Sequence, residues 1–318
     1  MNLNKVKIVE LLLLKDFSPI YKIADETRVR NVGNVVHIRG IIEFSNYCKR
    51  RCIYCGLNDD NPIERYRMDG SEIVQLAKEA KRAGYKTIVL QSGEDPFFTV
   101  EMLGEIIEEI KKLDISITVS CGELSFNDLK FLREKGADRY LLKHETGNSS
   151  LYAKLHPCGT LEKRVKCLKD IKALGYETGS GFMIGLPGQT LEIIAEDLLL
   201  LKELGCDMAG IGPFIAHADT PLANEPSGST ELTKRALALA RIMLPRANLP
   251  VTTSLGVVNK VERDLAFSCG ANVVMKKVTP DKYKKLYTIY PSVFCHTNII
   301  EDRNALEKEI TDMGRIPL

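Results

Sequence analysis

At 318 residues, with 44% hydrophobic and 27% charged side chains, the chain has an ordinary globular composition and enough length for one or two domains, which excludes a wholly disordered or collagen-like polymer. Forty-four basic side chains against 42 acidic ones leave a formal charge of +2, too balanced for an electrostatic grip on nucleic acid or an anionic membrane, so a small molecule or another protein is the expected partner. Nine cysteines, an odd number spread over a long chain, argue against a secreted disulfide framework and for a reducing cytoplasmic setting.

Residues 1–34 read as a helical lead-in. The apolar run Ile8-Val9-Glu10-Leu11-Leu12-Leu13-Leu14 is interrupted by Glu10 and closed by Lys15 and Asp16; it is too short for a membrane span, no small-residue cleavage site follows it, and an amphipathic helix is expected. From residue 35 onward, short β-rich runs alternate with helical patterns. The strands are expected at 35–44, 86–91, 115–120, 139–144, 177–184, 207–214, 249–254 and 272–275. The intervening helices carry one-sided apolar stripes, such as Ile73, Leu76, Ala77 and Ala80. Several are expected to end at a glycine (Gly84, Gly136, Gly175, Gly205) and two to start at Ser71 and Thr190. Eight βα units with no G-x-G-x-x-G after the first strand fit an α/β fold of complete (β/α)8 barrel type over 35–290, with 291–318 as a C-terminal extension. In such a barrel the active site lies at the C-terminal ends of the strands, and polar clusters fall there: Ser45 to Cys48, Gln91 to Asp95, Cys121 to Glu123, Lys143 to Thr146, and Pro213 to Asp219.

Cys48-Lys49-Arg50-Arg51-Cys52-Ile53-Tyr54-Cys55 follows the first strand, so three thiolates converge from one loop at the barrel mouth. Three thiolates can hold a 4Fe-4S cluster and leave one iron open to chelate a substrate; zinc with a fourth ligand from elsewhere, or a plain cluster scaffold, is the alternative. Lys49, Arg50 and Arg51 can offset cluster charge or form a solvated turn.

The C-x3-C-x2-C spacing with an aromatic residue before the last cysteine, Tyr54, resembles that of the radical S-adenosylmethionine (SAM) enzymes. The resemblance implies that Cys48, Cys52 and Cys55 ligate a cluster whose open iron binds the amino and carboxylate groups of SAM, and that one-electron reduction yields a 5′-deoxyadenosyl radical. Ser92-Gly93-Glu94-Asp95-Pro96 is similar to the family's glycine-glutamate motif, which receives the SAM amino group. Glu145 falls at the ribose position and Arg164 at that of an arginine pairing the SAM carboxylate. Tyr54, Gln91, Met183 and Ile211 complete the implied SAM contacts, with residues 183–185 and 211–214 bringing backbone and apolar surface to the adenine.

Longer stretches, among them Val89-Leu90-Gln91-Ser92-Gly93-Glu94-Asp95-Pro96, Tyr140-Leu141-Leu142-Lys143-His144-Glu145-Thr146, Gly185-Leu186-Pro187-Gly188-Gln189-Thr190 and Gly210-Ile211-Gly212-Pro213-Phe214-Ile215, resemble the HydE family of FeFe-hydrogenase maturases across about residues 30 to 290. That resemblance implies assembly of the diiron subcluster of the H-cluster from a cysteine-ligated Fe(CO)2(CN) complex, with the maturases HydG and HydF as partners and a one-electron reductant. It points to Arg139, Lys143, Met208, Thr252, Thr253 and Tyr290 as substrate contacts; Lys143 departs from the arginine expected there and replaces a bidentate fork with a point charge. Many HydE chains carry a C-terminal cysteine triplet, whereas this chain has only Cys295, followed by His296, so one cluster is expected and no second. Alternatives are a methylornithine synthase-like mutase and a non-enzymatic iron-sulfur carrier. Cys121, at the end of the third strand, is expected to face the pocket; His217 and Asp219 read as loop contacts or a catalytic pair; Cys158, Cys167, Cys206 and Cys269 read as small buried residues.

Overall fold

A computed structural model describes residues 3–291, 296 and 298–318. Eight parallel strands, β1 (Val35–Ser45), β2 (Thr87–Ser92), β3 (Ser116–Ser120), β4 (Arg139–Leu141), β5 (Glu177–Ile184), β6 (Met208–Pro213), β7 (Pro250–Val251) and β8 (Val273–Lys277), are ordered β6-β5-β4-β3-β2-β1-β8-β7. The remaining seam, between β6 and β7, is bridged by Met208 pairing with Asn248, so the barrel is nearly closed. The helices between strands bury their apolar stripes outside it: Ile73, Leu76, Ala77 and Ala80 face inward from helix Gly70–Arg82, as the periodicity requires.

All eight expected strands form, and their ends differ where local chemistry intervenes. The segment 249–254 gives only Pro250–Val251, because Thr252 turns its hydroxyl to the Leu255 amide at 3.4 Å and caps helix Thr253–Val258. The fourth strand stops at Leu141 and pairs with β5 again only at Glu145, which bridges Phe182 with φ at 64°. Helix Gly70–Arg82 begins at the Asp69 cap rather than at Ser71, whereas Thr190 caps its helix as expected, accepting from the Ile193 amide.

The lead-in supplies helices Lys5–Leu12 and Ser18–Val32, which bury Ile8, Leu11, Leu12, Ile20 and Ala24. At the other end, helix Ile299–Asp312 leads to β9 (Ile316–Pro317), which pairs in parallel with Val35 and Val36 at the start of β1. The extension therefore attaches at the end of the barrel remote from the cysteine loop. Among the described residues no helix is long and apolar enough to cross a membrane. Cys295 lies outside the described residues.

Candidate active site

Strand direction sets the geometry. Because every strand of the barrel runs the same way, the segments leaving β1, β2, β3 and β4 converge at one mouth. The loop from β1 carries Cys48, Cys52 and Cys55, and it is fastened to the end of β2: the Glu94 amide donates to Cys48 Sγ at 3.4 Å and the Lys49 amide to the Glu94 carbonyl at 2.9 Å. Gly93 permits this approach. A Cβ there would lie 2.2 Å from the Tyr47 carbonyl oxygen and 2.6 Å from Cys48 Cβ.

The thiols perturb one another. Burial and then the charges of Cys55 and Cys48 push the Cys52 thiol up, and burial pushes Cys55 up to about 12. Three such sulfurs become thiolates at neutral pH only when cations replace their protons, and this is what ligation to iron supplies. Among the described residues no three His, Cys, Asp or Glu side chains gather tightly enough for a single metal ion; ligands that each take a different iron need not. The donor set fits an iron-sulfur cluster.

Next to the loop lies a chain of alternating charge. Arg50 Nε donates to Glu94 Oε2 at 2.6 Å, Arg50 Nη2 meets Glu123 Oε2 at 2.9 Å, and Arg164 Nε donates to Glu123 Oε1 at 2.7 Å. Arg164 is only 8% exposed and also donates to the Lys143 carbonyl, so it is held inside the site. Arg50 is likewise tied into the site instead of serving as a solvated turn. Tyr54 donates its hydroxyl to His156 Nε2 at 2.9 Å, while His156 Nδ1 faces the Tyr152 carbonyl. Burial, then the Arg164 charge, lower His156 to about 4, so the imidazole is neutral and able to accept.

A cavity of about 250 Å³ opens along the barrel axis from this mouth. Tyr54, Gln91, Lys143, Glu145, Met183, Met208, Thr252, Thr253 and Tyr290 line it, which brings most of the expected SAM and substrate contacts onto one surface. Lys143 Nζ lies 2.8 Å from Glu145 Oε2; burial raises the Glu145 carboxyl, but the Lys143 ammonium together with neighbours that include Arg164 more than offsets this and leaves it below its usual range. A second ion pair, Lys277 to Glu43 at 2.8 Å, stands across the cavity, since β4 and β8 lie on opposite sides of the ring. Burial, opposed by Lys277, raises the Glu43 carboxyl.

Not every expected residue lines the cavity. Arg139 is the first residue of β4 and pairs with Glu177, the first residue of β5, at 2.6 Å; it belongs to the opposite end of the barrel and does not reach the cavity. Ile211 points its side chain into the core, leaving Gly210, Gly212 and Pro213 on the cavity wall. Cys121 is buried in the same core and does not face the pocket; burial pushes its thiol up to about 12. His217 packs against Gly56 and accepts from the Asp219 amide at 3.2 Å, while the exposed Asp219 carboxylate stands 3.8 Å away, a local turn outside the cavity. Cys167, Cys206 and Cys269 are buried as expected, but Cys158 is exposed and its carbonyl accepts from Arg50. Glu43, His156 and Lys277 were not signalled by the sequence; of the groups outside the expected set, Arg50 lay within the cysteine motif and Glu123 within a polar cluster at a strand end.

A family model for the radical SAM superfamily matches residues 42–201. The chain is 51% identical over 277 residues to the FeFe-hydrogenase maturase subunit HydE of Thermotoga maritima, covering 87% of this chain and 80% of that protein. This chain belongs to the radical SAM superfamily, in its HydE group. As a radical SAM enzyme it uses a 4Fe-4S cluster and SAM, and Cys48, Cys52 and Cys55 fall inside the matched region. It is also similar to 3-methylornithine synthase of Methanosarcina acetivorans, 30% identical over 84% of this chain and 76% of that one. A crystal structure of methylornithine synthase superposes with a TM-score of 0.86 at 26% identity, covering 100% of this chain and 95% of that chain.

Proposed function

We propose that this radical SAM enzyme acts in FeFe-hydrogenase maturation, on an organometallic substrate of the cysteine-ligated Fe(CO)2(CN) type, in the cytoplasm, with HydG and HydF as the proteins before and after it. The observation that carries the reading is the 51% identity to HydE over 277 residues, 87% of this chain. In this reading Cys48, Cys52 and Cys55 hold one cluster, and the single C-terminal Cys295 adds no second. The bound cluster and SAM together supply a reducing electron and a carbon-centred radical.

The chain's own residues do the rest. Glu94 and Arg164 carry the charges complementary to the ammonium and carboxylate of an amino acid, and Glu145, fixed beside Lys143, accepts sugar hydroxyls. Gln91 and Tyr54 position the same ligand, and Met183 faces its base. Below them the walls are largely apolar (Ile41, Leu141, Met208, Met275, Ile289), which keeps water from a reactive intermediate. Lys143, Thr252, Thr253 and Tyr290 offer a cation and hydroxyls to an anionic substrate end.

The test is activation of apo-hydrogenase in a mixture of HydG, HydF, SAM and reductant from which HydE has been left out. Addition of this chain restores hydrogen evolution. Conversion of lysine to methylornithine without hydrogenase activation would overturn the reading.

A further inference from the structure

The charge chain Glu94–Arg50–Glu123–Arg164 has two kinds of member. Its ends, Glu94 and Arg164, are the groups read above as receiving the amino-acid end of SAM, and the inference rests on that reading. Its middle members, Arg50 and Glu123, come from different segments: Arg50 from the loop between Cys48 and Cys52, Glu123 from just beyond β3.

The contacts show what the middle pair does. Each end group is paired through it, Glu94 with Arg50 at 2.6 Å and Arg164 with Glu123 at 2.7 Å. The middle groups also pair with each other at 2.9 Å. Further bonds fix them: Arg50 Nη1 donates to the Cys158 carbonyl at 2.8 Å, and the Glu123 amide donates to Glu94 Oε1 at 3.1 Å. Gly122 makes the last contact possible, since a Cβ there would sit 2.0 Å from Glu94 Cγ. All four side chains are at most 16% exposed. An unpaired charge is costly in such a setting.

Two carboxylates and two guanidinium groups sum to zero. An ammonium and a carboxylate arriving together also sum to zero, so the amino-acid end of a ligand can engage Glu94 and Arg164 without burying net charge. When the ends turn to the ligand, Arg50 and Glu123 keep each other. We infer that Arg50 and Glu123 form a retained counter-ion pair, a pair of positioning residues that holds Glu94 and Arg164 oriented for the amino-acid end of SAM and tethers that site to the cluster loop.

The test uses the anaerobically purified, iron-replete full chain and reads SAM affinity by titration, followed through the spectrum of the reduced cluster. Arg50→Gln and Glu123→Gln each weaken SAM binding by about tenfold or more, and the double variant is no more than about threefold worse than the weaker single one, because both break one unit. Arg50→Lys, which keeps the charge but loses the fork, recovers part of the loss. At saturating SAM the rate of 5′-deoxyadenosine formation stays within about threefold of wild type, a split between KM and kcat that general unfolding would not give. Iron-replete variants that bind SAM within about twofold of wild type, or single effects that multiply in the double variant, would overturn the inference. Should Arg50→Gln lose iron, Glu123→Gln, which lies outside the cysteine loop, decides alone. A wild-type chain that binds no SAM would sink the underlying reading as well; a wild type that binds with variants that bind equally sinks only the role of the pair.

Discussion

Glu145 and His156 show how single side chains at this site are set by their surroundings. Glu145 sits in the left-handed region at φ 64°, a conformation that costs a non-glycine residue roughly 1–2 kcal/mol and is held only when neighbours over-determine it. Its amide donates to the Gly181 carbonyl at 3.0 Å and its carbonyl accepts from the Met183 amide at 3.1 Å, so the kink is locked into β5 on both sides. His156 is held neutral between Tyr54 and the Tyr152 carbonyl, with its folded-state value lowered from 6.5 to about 4. A lowered value means that the unfolded chain takes up the proton first as pH falls. Stability is therefore complete above about pH 6.5 and declines between there and about pH 4, by roughly 3 kcal/mol for this one group. Denaturant unfolding of wild type and His156→Asn at pH 7 and pH 4.5 checks this: the variant is less stable at pH 7 and loses less on acidification. An equal loss in both proteins would count against the assignment. The sequence marked Tyr54 through its place in the cysteine loop, but nothing local marks His156, which is 102 residues away from its partner.

At the scale of elements, the strands were legible because period and composition are local; their ends were less so, β7 yielding to the local Thr252 cap and β4 to contacts from elsewhere. The hydrophobic run through Leu142 continues past the point where β4 stops, and the cause lies on helix Leu191–Glu203. Buried Asp197 accepts from the Gly147 amide and stands 3.6 Å from His144 Nε2, while His144 Nδ1 is 2.9 Å from Ser180 Oγ. Burial raises the Asp197 carboxyl, against the pull of His144. This clamp fixes the segment that presents Glu145. Asp197→Ala leaves buried donors without an acceptor and is expected to destabilise the chain by about 2–3 kcal/mol and to raise the KM for SAM, measured by unfolding and by 5′-deoxyadenosine formation. Arg139 gives the opposite contrast. The family resemblance put it among the substrate contacts with Lys143, yet its position at the start of β4 sends it to the far end of the barrel beside Glu177. Because the Glu177 side chain is 48% exposed, Arg139→Ala should cost at most about 1 kcal/mol and leave substrate affinity unchanged, whereas Thr253→Val should weaken it. Reduced substrate affinity in Arg139→Ala with an intact fold would return Arg139 to the site.

For the whole molecule, eight βα units and a cysteine loop after the first strand were enough to give the barrel and the end at which its chemistry sits. Three features needed the fold. The seam between β6 and β7 closes through Asn248, outside any predicted strand; the C-terminal Ile316–Pro317 pairs with the start of β1; and the charges of Arg50, Glu94, Glu123 and Arg164 meet only once the segments after β1, β2 and β3 and the helix Leu161–Ala173 come together. Each is a pairing over long sequence separation, for which hydrophobic period carries no signal. The resulting molecule places the cysteine loop at one mouth of a lined cavity and the short C-terminal strand against the start of β1 at the other end; in the proposed function a radical formed at the mouth meets a substrate held beneath it. The most direct test is low-temperature electron paramagnetic resonance of the anaerobically reconstituted, dithionite-reduced chain, with and without SAM, alongside product analysis. The account predicts the signal of a reduced 4Fe-4S cluster that changes on addition of SAM, with 5′-deoxyadenosine and methionine formed, and loss of cluster and products together in Cys48→Ala, Cys52→Ala and Cys55→Ala. An intact, reducible cluster whose spectrum SAM leaves unchanged and which yields no 5′-deoxyadenosine, or a cluster that survives removal of these cysteines, would contradict it.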